Sequence, residues 1–246
     1  MNRDEHLSAI LSEGHALISA CQSAPESGVS GCPGWTNSDL LDHVRMVWGF
    51  VATQVRAADT SGPSRPEITD ADGPSDLLDS LVSLLESTDA GQSAWNWSPD
   101  MTAGFWVRRM ACEMAIHRWD AEDAAGAITP IDRSLAVDVV DEAVTVAFRF
   151  NRSGPVTDYP SSSLHLHSTD GDGDGDGDGD GDGDGDGEWL LIPGDGDLVV
   201  TREHAKADVA ASGTASDLAL FVWGRGGDLQ FWGDKDQLEA WASVAP

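Results

Sequence analysis

The sequence predicts an α+β protein of two domains, an N-terminal four-helix bundle followed by a smaller α+β domain with a mostly antiparallel sheet. Three observations carry this expectation. Residues 1–126 hold four stretches with apolar residues at three- and four-residue steps, the period of a helix that buries one face. After Gly126 the pattern changes to short β-type runs mixed with helical segments. The chain has 246 residues, 40% of them apolar and ten of them tryptophan, which is enough for two cores and does not fit a disordered chain. The expected domains are 1–126 and 131–246.

The first helix is expected at 5–21, where Leu7, Ile10, Leu11, Leu17, Ile18 and Cys21 fall on one side. The second begins after "CPGWT": Thr36 as N-cap with Asp39 three residues on gives a capping-box pattern, and the helix runs to Arg56. A Pro/Gly/Asp-rich connection, 58–74, leads to a third helix near 75–87 with Leu77, Leu78, Leu81, Leu84 and Leu85 on one side. A polar link, 88–102, precedes a fourth helix at 103–125. Four such helices suit a bundle. Beyond the boundary, a helix at 131–149 is followed by the runs "SLHLHS", "EWLLIP", "LVVTRE" and "ADVAAS", a helix at 214–224, "LQFW", and a last helix at 234–244.

Between the first two of those runs lies an alternating Asp-Gly tract, 170–187. Because "DG" is a hairpin-turn signal, the tract reads as a lengthened, disordered hairpin loop. It does not make an EF-hand, whose loop needs a glutamate at its twelfth position. Every Asp of the tract is even-numbered, so that position always falls on an odd-numbered residue and never on the nearby glutamate, Glu188.

Formal charge is −29, and since nine of the negatives lie in the tract, the rest of the chain is acidic as well. Lys206 and Lys235 are the two lysines, and no basic stripe exists, which argues against nucleic acid and anionic membrane as partners. Cys21, Cys32 and Cys112 are odd in number and lack CxxC spacing, so neither a disulfide framework nor a zinc knuckle is expected. A reducing cytoplasm fits that usage. The N-terminus has no signal-type apolar core, and no apolar run is long enough to span a membrane. The expected assembly is a monomer or a weak homo-oligomer.

Chemistry concentrates in "FWVRRMACEMAIHRWDAEDAAG", residues 105–126. On a helical wheel with Glu113 at the origin, Asp120, Arg109 and His117 fall within about 40° of it. Phe105, Ile116, Met110 and Met114 flank this polar stripe, and Arg108, Ala111, Ala115, Arg118 and Glu122 occupy the opposite half, expected to face solvent. Unpaired charge along an apolar face costs several kcal/mol, so the stripe has to be satisfied from within the bundle. His43 also lies amid apolar residues of the second helix, beside Leu40, Val47 and Val51. A bundle brings such faces together, and His43, Glu113 and His117 would form a two-His, one-carboxylate set with a position open for an exogenous ligand. A purely internal network of Arg109, Glu113, His117 and Asp120 would satisfy the same pattern, and both readings stand at this point.

Other candidates are weaker. His15 sits at the edge of its helix's apolar side. His165 and His167, two apart on a strand, share a face; hairpin decoration is the plainer reading, because a metal site would need a third ligand that the sequence does not identify. Arg225 follows an apolar helix and precedes a Gly pair, where it either caps the helix dipole or clamps a carboxylate. Cys112 reads as core.

The segments "CPGWTNSDLLDHV", "FWVRRMACEMAIHRWDAE", the "TDGDG…EWLL" hairpin and "ASDLALFVWGR", in this order, resemble the mycothiol-dependent maleylpyruvate isomerase family, whose N-terminal domain is a DinB-like four-helix bundle. The resemblance implies a divalent metal, usually zinc, held by His43, Glu113 and His117. It also implies mycothiol or another low-molecular-weight thiol as cosubstrate, a small-molecule substrate, and Arg225 as the residue that binds substrate charge. The implied chemistry is cis–trans isomerisation: the metal favours the thiolate, which adds to a maleyl-type double bond, and rotation and elimination return the thiol. Asp120 would orient His117 or Arg109, and the active site is expected between the domains. A thiol S-transferase, a metal-dependent hydrolase and a non-catalytic ligand-binding protein of the same fold are the competing readings. The nine-fold Asp-Gly expansion departs from the family, in which one or two repeats are typical.

Overall fold

The structure is a computed structural model that describes residues 1–66, 73–151, 153–171 and 187–244. Most of the Asp-Gly tract, 172–186, lies outside the described residues, and so does the disordered-loop reading given to it. The chain divides into two compact units, Met1–Pro130 and Ile131–Pro246.

In the first unit, α1 spans Arg3–Ser23, α2 Asn37–Ala57, α3 Pro74–Ser87 and α4 Ala103–Ala125. The ends of these helices follow from local chemistry. Asn2 accepts from the backbone N–H groups of Asp4 and Glu5 while the Glu5 carboxylate takes the Asn2 N–H at 2.6 Å, a reciprocal cap that starts α1 earlier than apolar periodicity alone suggests. Thr36 and Asp39 make the same exchange at the start of α2. Pro74 occupies the first turn of α3, where a missing N–H costs nothing. Thr102 caps α4, and Gly126 ends it at φ 72°, a left-handed conformation that favours glycine. Ile10, Leu17, Leu40, Val44, Val51, Leu78, Leu85 and Met110 are fully buried and make the core.

The half of α4 expected to face solvent is instead packed. Ala111 and Ala115 have no exposed surface, and Arg118 is 3% exposed. The small alanines admit α1 at close range. Arg118 reaches across to it, its Nε donating to Glu13 at 2.8 Å, with Nη1 donating to Glu122 at 2.8 Å and to the Thr129 carbonyl at 2.6 Å. A charge on the wheel therefore marked a paired interior group and not a wet face.

In the second unit, α5 spans Arg133–Glu142, β1 Phe150–Asn151, β2 Gly154–Pro155, β3 Leu164–Ser168, β4 Glu188–Pro193, β5 Leu198–Thr201, β6 Val209–Gly213, α6 Ala215–Val222, β7 Gln230–Trp232 and α7 Lys235–Ala242. The helix expected through 149 ends its α-helical part at Glu142 and continues as a π-helical turn, Ala143–Ala147, in which Phe148 N–H reaches back five residues to the Ala143 carbonyl at 2.8 Å. The sheet runs β5-β4-β3-β6-β7, with β3 and β6 parallel and the other neighbours antiparallel. Trp241 anchors α7: it is buried, stacks on Phe148 with centroids 6.3 Å apart, and donates its indole N–H to the Ser162 carbonyl at 3.0 Å.

Candidate metal centre

The helix register of α2 and α4 decides what meets at the heart of the bundle. Leu40, Val44, Trp48 and Val51 form the buried stripe of α2, and the Trp48 indole N–H donates to the Met114 sulfur at 3.3 Å, which pins α2 beside the turn of α4 that carries Glu113. His43 lies at the margin of that stripe and is half-buried, not central to it. Met46, three residues on from His43, is 58% exposed. The stripe is centred one position further along than a wheel drawn through His43 suggests.

His43, Glu113 and His117 each bring a ligand atom to within 4.8 Å of the other two. The two imidazole centroids are 5.5 Å apart at a steep interplanar angle, and the Trp35 ring lies 4.9 Å from that of His43. Asp120, with no exposed surface, contacts His117 Nδ1 at 3.0 Å through Oδ2. That bond fixes the ring and leaves Nε2 as the nitrogen able to meet a cation. Glu113 is paired with Arg109 Nη2 at 3.2 Å, both side chains 11% exposed, so its charge stays balanced where solvent is scarce.

Two imidazoles and one carboxylate, spaced for convergence and backed by a carboxylate behind one imidazole, are the donor set of an open zinc-class site. Ligands about 2 Å from a tetrahedral zinc lie about 3.3 Å apart, so the observed spacing closes with small rotations about side-chain bonds. The residues present fit the group.

Cys32 was not singled out by sequence reasoning, yet its sulfur joins His117 and Asp120 in a second, overlapping set within 4.8 Å. It belongs to a turn in which Cys32 N–H donates to Val29 and Trp35 N–H donates back to Cys32, and Gly34 sits at φ 89°. The signal was the "CPGW" turn immediately before the α2 cap, which carries Cys32 and Trp35 to the His43 end of that helix. Arg225 lies in the second unit, just past α6, where its Nη1 donates to the Trp223 carbonyl at 2.6 Å. That bond lies at the helix C-terminus. His15 is on the surface, 3.2 Å from Asp79, and Cys112 is fully buried in the core.

Residues 7–122 match a family described as "Mycothiol maleylpyruvate isomerase N-terminal domain". The match spans nearly the whole of the bundle unit. The resemblance read from the sequence is thereby supported over the part of the chain that carries His43, Glu113 and His117. Two crystal structures of the mycothiol-dependent maleylpyruvate isomerase, one of them a histidine-to-alanine mutant, are similar over 94% of this chain and 93% of theirs. Their TM-scores are 0.55 and 0.58, the mutant having the higher, and each is 14% identical. Identity that low establishes the fold, and the α+β architecture expected from the sequence holds. No curated protein matches the chain. Among the described residues, no helix is long and apolar enough to cross a membrane.

Proposed function

We propose that the chain is a metal- and thiol-dependent enzyme of the maleylpyruvate isomerase type, acting on a small electrophilic substrate with a conjugated cis double bond. The observation that supports this most is the convergence of His43, Glu113 and His117 within 4.8 Å inside a bundle of the matching domain family. A zinc-class cation held by these three residues supplies a Lewis acid that lets a low-molecular-weight thiol, mycothiol first among them, act as a thiolate near neutral pH.

The chain's own residues have separable tasks. Asp120 accepts a hydrogen bond from His117 Nδ1–H, which orients the ring and presents Nε2. Arg109 pairs with Glu113 in a partly buried setting and so offsets its charge there. Trp35 lies against His43 and restricts its ring. Arg225 is assigned to the substrate's carboxylate, because a planar guanidinium matches a carboxylate bidentately. Sulfur adds to one alkene carbon as the π electrons move onto the conjugated carbonyl. After rotation about the resulting single bond the electrons return and the same C–S bond breaks, so the thiol is not consumed.

The test is turnover of a maleyl-type substrate, maleylpyruvate being the first choice, with and without mycothiol. Dependence on the thiol is expected, together with at least a 100-fold fall in kcat/KM for Glu113→Gln. Turnover that proceeds equally without thiol contradicts the proposal and favours hydrolysis by metal-bound water.

A further inference from the structure

The second unit gathers three imidazoles around one carboxylate. β3 and β4 pair antiparallel with His167 opposite Glu188 and His165 opposite Leu190. Side chains two apart on a strand share a face, as do partners directly across a ladder, so His165, His167 and Glu188 project together. His204 arrives from the segment after β5. Its Nδ1 is 3.0 Å from Glu188 Oε1, His167 Nδ1 is 2.5 Å from the same oxygen, and His165 Nε2 is 2.5 Å from Oε2. The His165 and His204 rings meet edge-on with centroids 5.1 Å apart. The group runs from the sheet outward: the side chain of His165 is 8% exposed, that of Glu188 16% and that of His204 79%.

Hydrogen bonding alone accounts poorly for this arrangement. One carboxylate neutralises one imidazolium, and a single histidine would satisfy a half-buried glutamate, yet three converge on it. Three imidazole nitrogens thus lie within 3.0 Å of the Glu188 carboxylate oxygens. One ligand atom from each of His165, Glu188 and His204 lies within 4.8 Å of the other two.

We propose that His165, Glu188 and His204 form a second divalent-cation site, separate in its ligands from the bundle centre, with His167 orienting the Glu188 carboxylate. Two imidazoles with one carboxylate select a zinc-class cation, Zn2+, Co2+ or Ni2+, over Mg2+ or Ca2+, which take oxygen ligands. The exposure of His204 leaves the outer side of the site to water. Binding ties β3, β4 and the segment after β5 together, three pieces of chain that no disulfide links.

Full-length protein stripped with chelator, loaded with Co2+ and passed through a desalting column gives the metal content per chain by mass spectrometry and the ligand field by visible absorption. His204→Ala, which removes an exposed side chain, and Glu188→Gln are each expected to lose one equivalent relative to the parent. The His43→Ala/His117→Ala double variant is expected to keep that equivalent, so this result does not depend on the bundle site. His167→Ala is expected to retain the equivalent but bind it about 10–100-fold more weakly, the usual cost of losing a group that orients a ligand. The proposal is overturned if His204→Ala holds as much cobalt as the parent, or if the double variant, folded by circular dichroism, holds none.

Discussion

Asp120 has no exposed surface, and its contact with His117 Nδ1 at 3.0 Å sets the orientation of a proposed ligand. Asp120→Asn keeps the shape but can turn an amide N–H toward Nδ1, which favours the wrong tautomer. Affinity for zinc is expected to fall about 10–100-fold in competition with a chromophoric chelator; unchanged affinity would leave Asp120 a structural role only. Arg225→Lys keeps the charge and loses the planar fork. It is expected to lower kcat/KM by about 1–3 kcal/mol of transition-state binding while metal content stays at the parental level. Parental kinetics would confine Arg225 to the helix end, where it already donates to Trp223.

At the scale of elements, the joint between α1 and α4 depends on Arg118, whose side chain is 4% exposed and pairs with Glu13 and Glu122. Arg118→Met strands both carboxylates and is expected to cost about 3–5 kcal/mol in urea unfolding, while the folded variant still binds metal. A loss below 1 kcal/mol would mean that solvent reaches the pair. The helix starts were legible where a side chain caps them, as at Thr36 with Asp39. The α4 wheel was legible on its methionine and phenylalanine side but not on the Ala111, Ala115 and Arg118 side, because small residues carry no periodic signal and a charge can be paired across a bundle. His165 and His167 could be placed on one strand face, whereas Glu188 required the β3–β4 register and His204 a return of chain after β5. Neither is fixed by local spacing. The turn that brings Cys32 to His117 is a tertiary fact of the same kind.

For the whole molecule, a charge of −29 opposes a small anionic substrate unless a fixed cation offsets it locally, the role proposed for Arg225. The Asp-Gly tract adds nine aspartates to that charge. Deleting 172–185 is expected to change unfolding free energy by about 1 kcal/mol, since closure cost varies slowly with loop length, and to leave activity and metal content unaltered. A calcium-dependent rise in melting temperature that disappears with the deletion would contradict this. The central claim is that His43, Glu113 and His117 hold a cation that accepts a thiol. Its most direct measurement is the near-ultraviolet and visible spectrum of the cobalt-loaded protein as mycothiol is added. A sulfur-to-cobalt charge-transfer band is expected in the parent and in His204→Ala, and none in the His43→Ala/His117→Ala variant; a parent spectrum unaffected by the thiol would contradict the account.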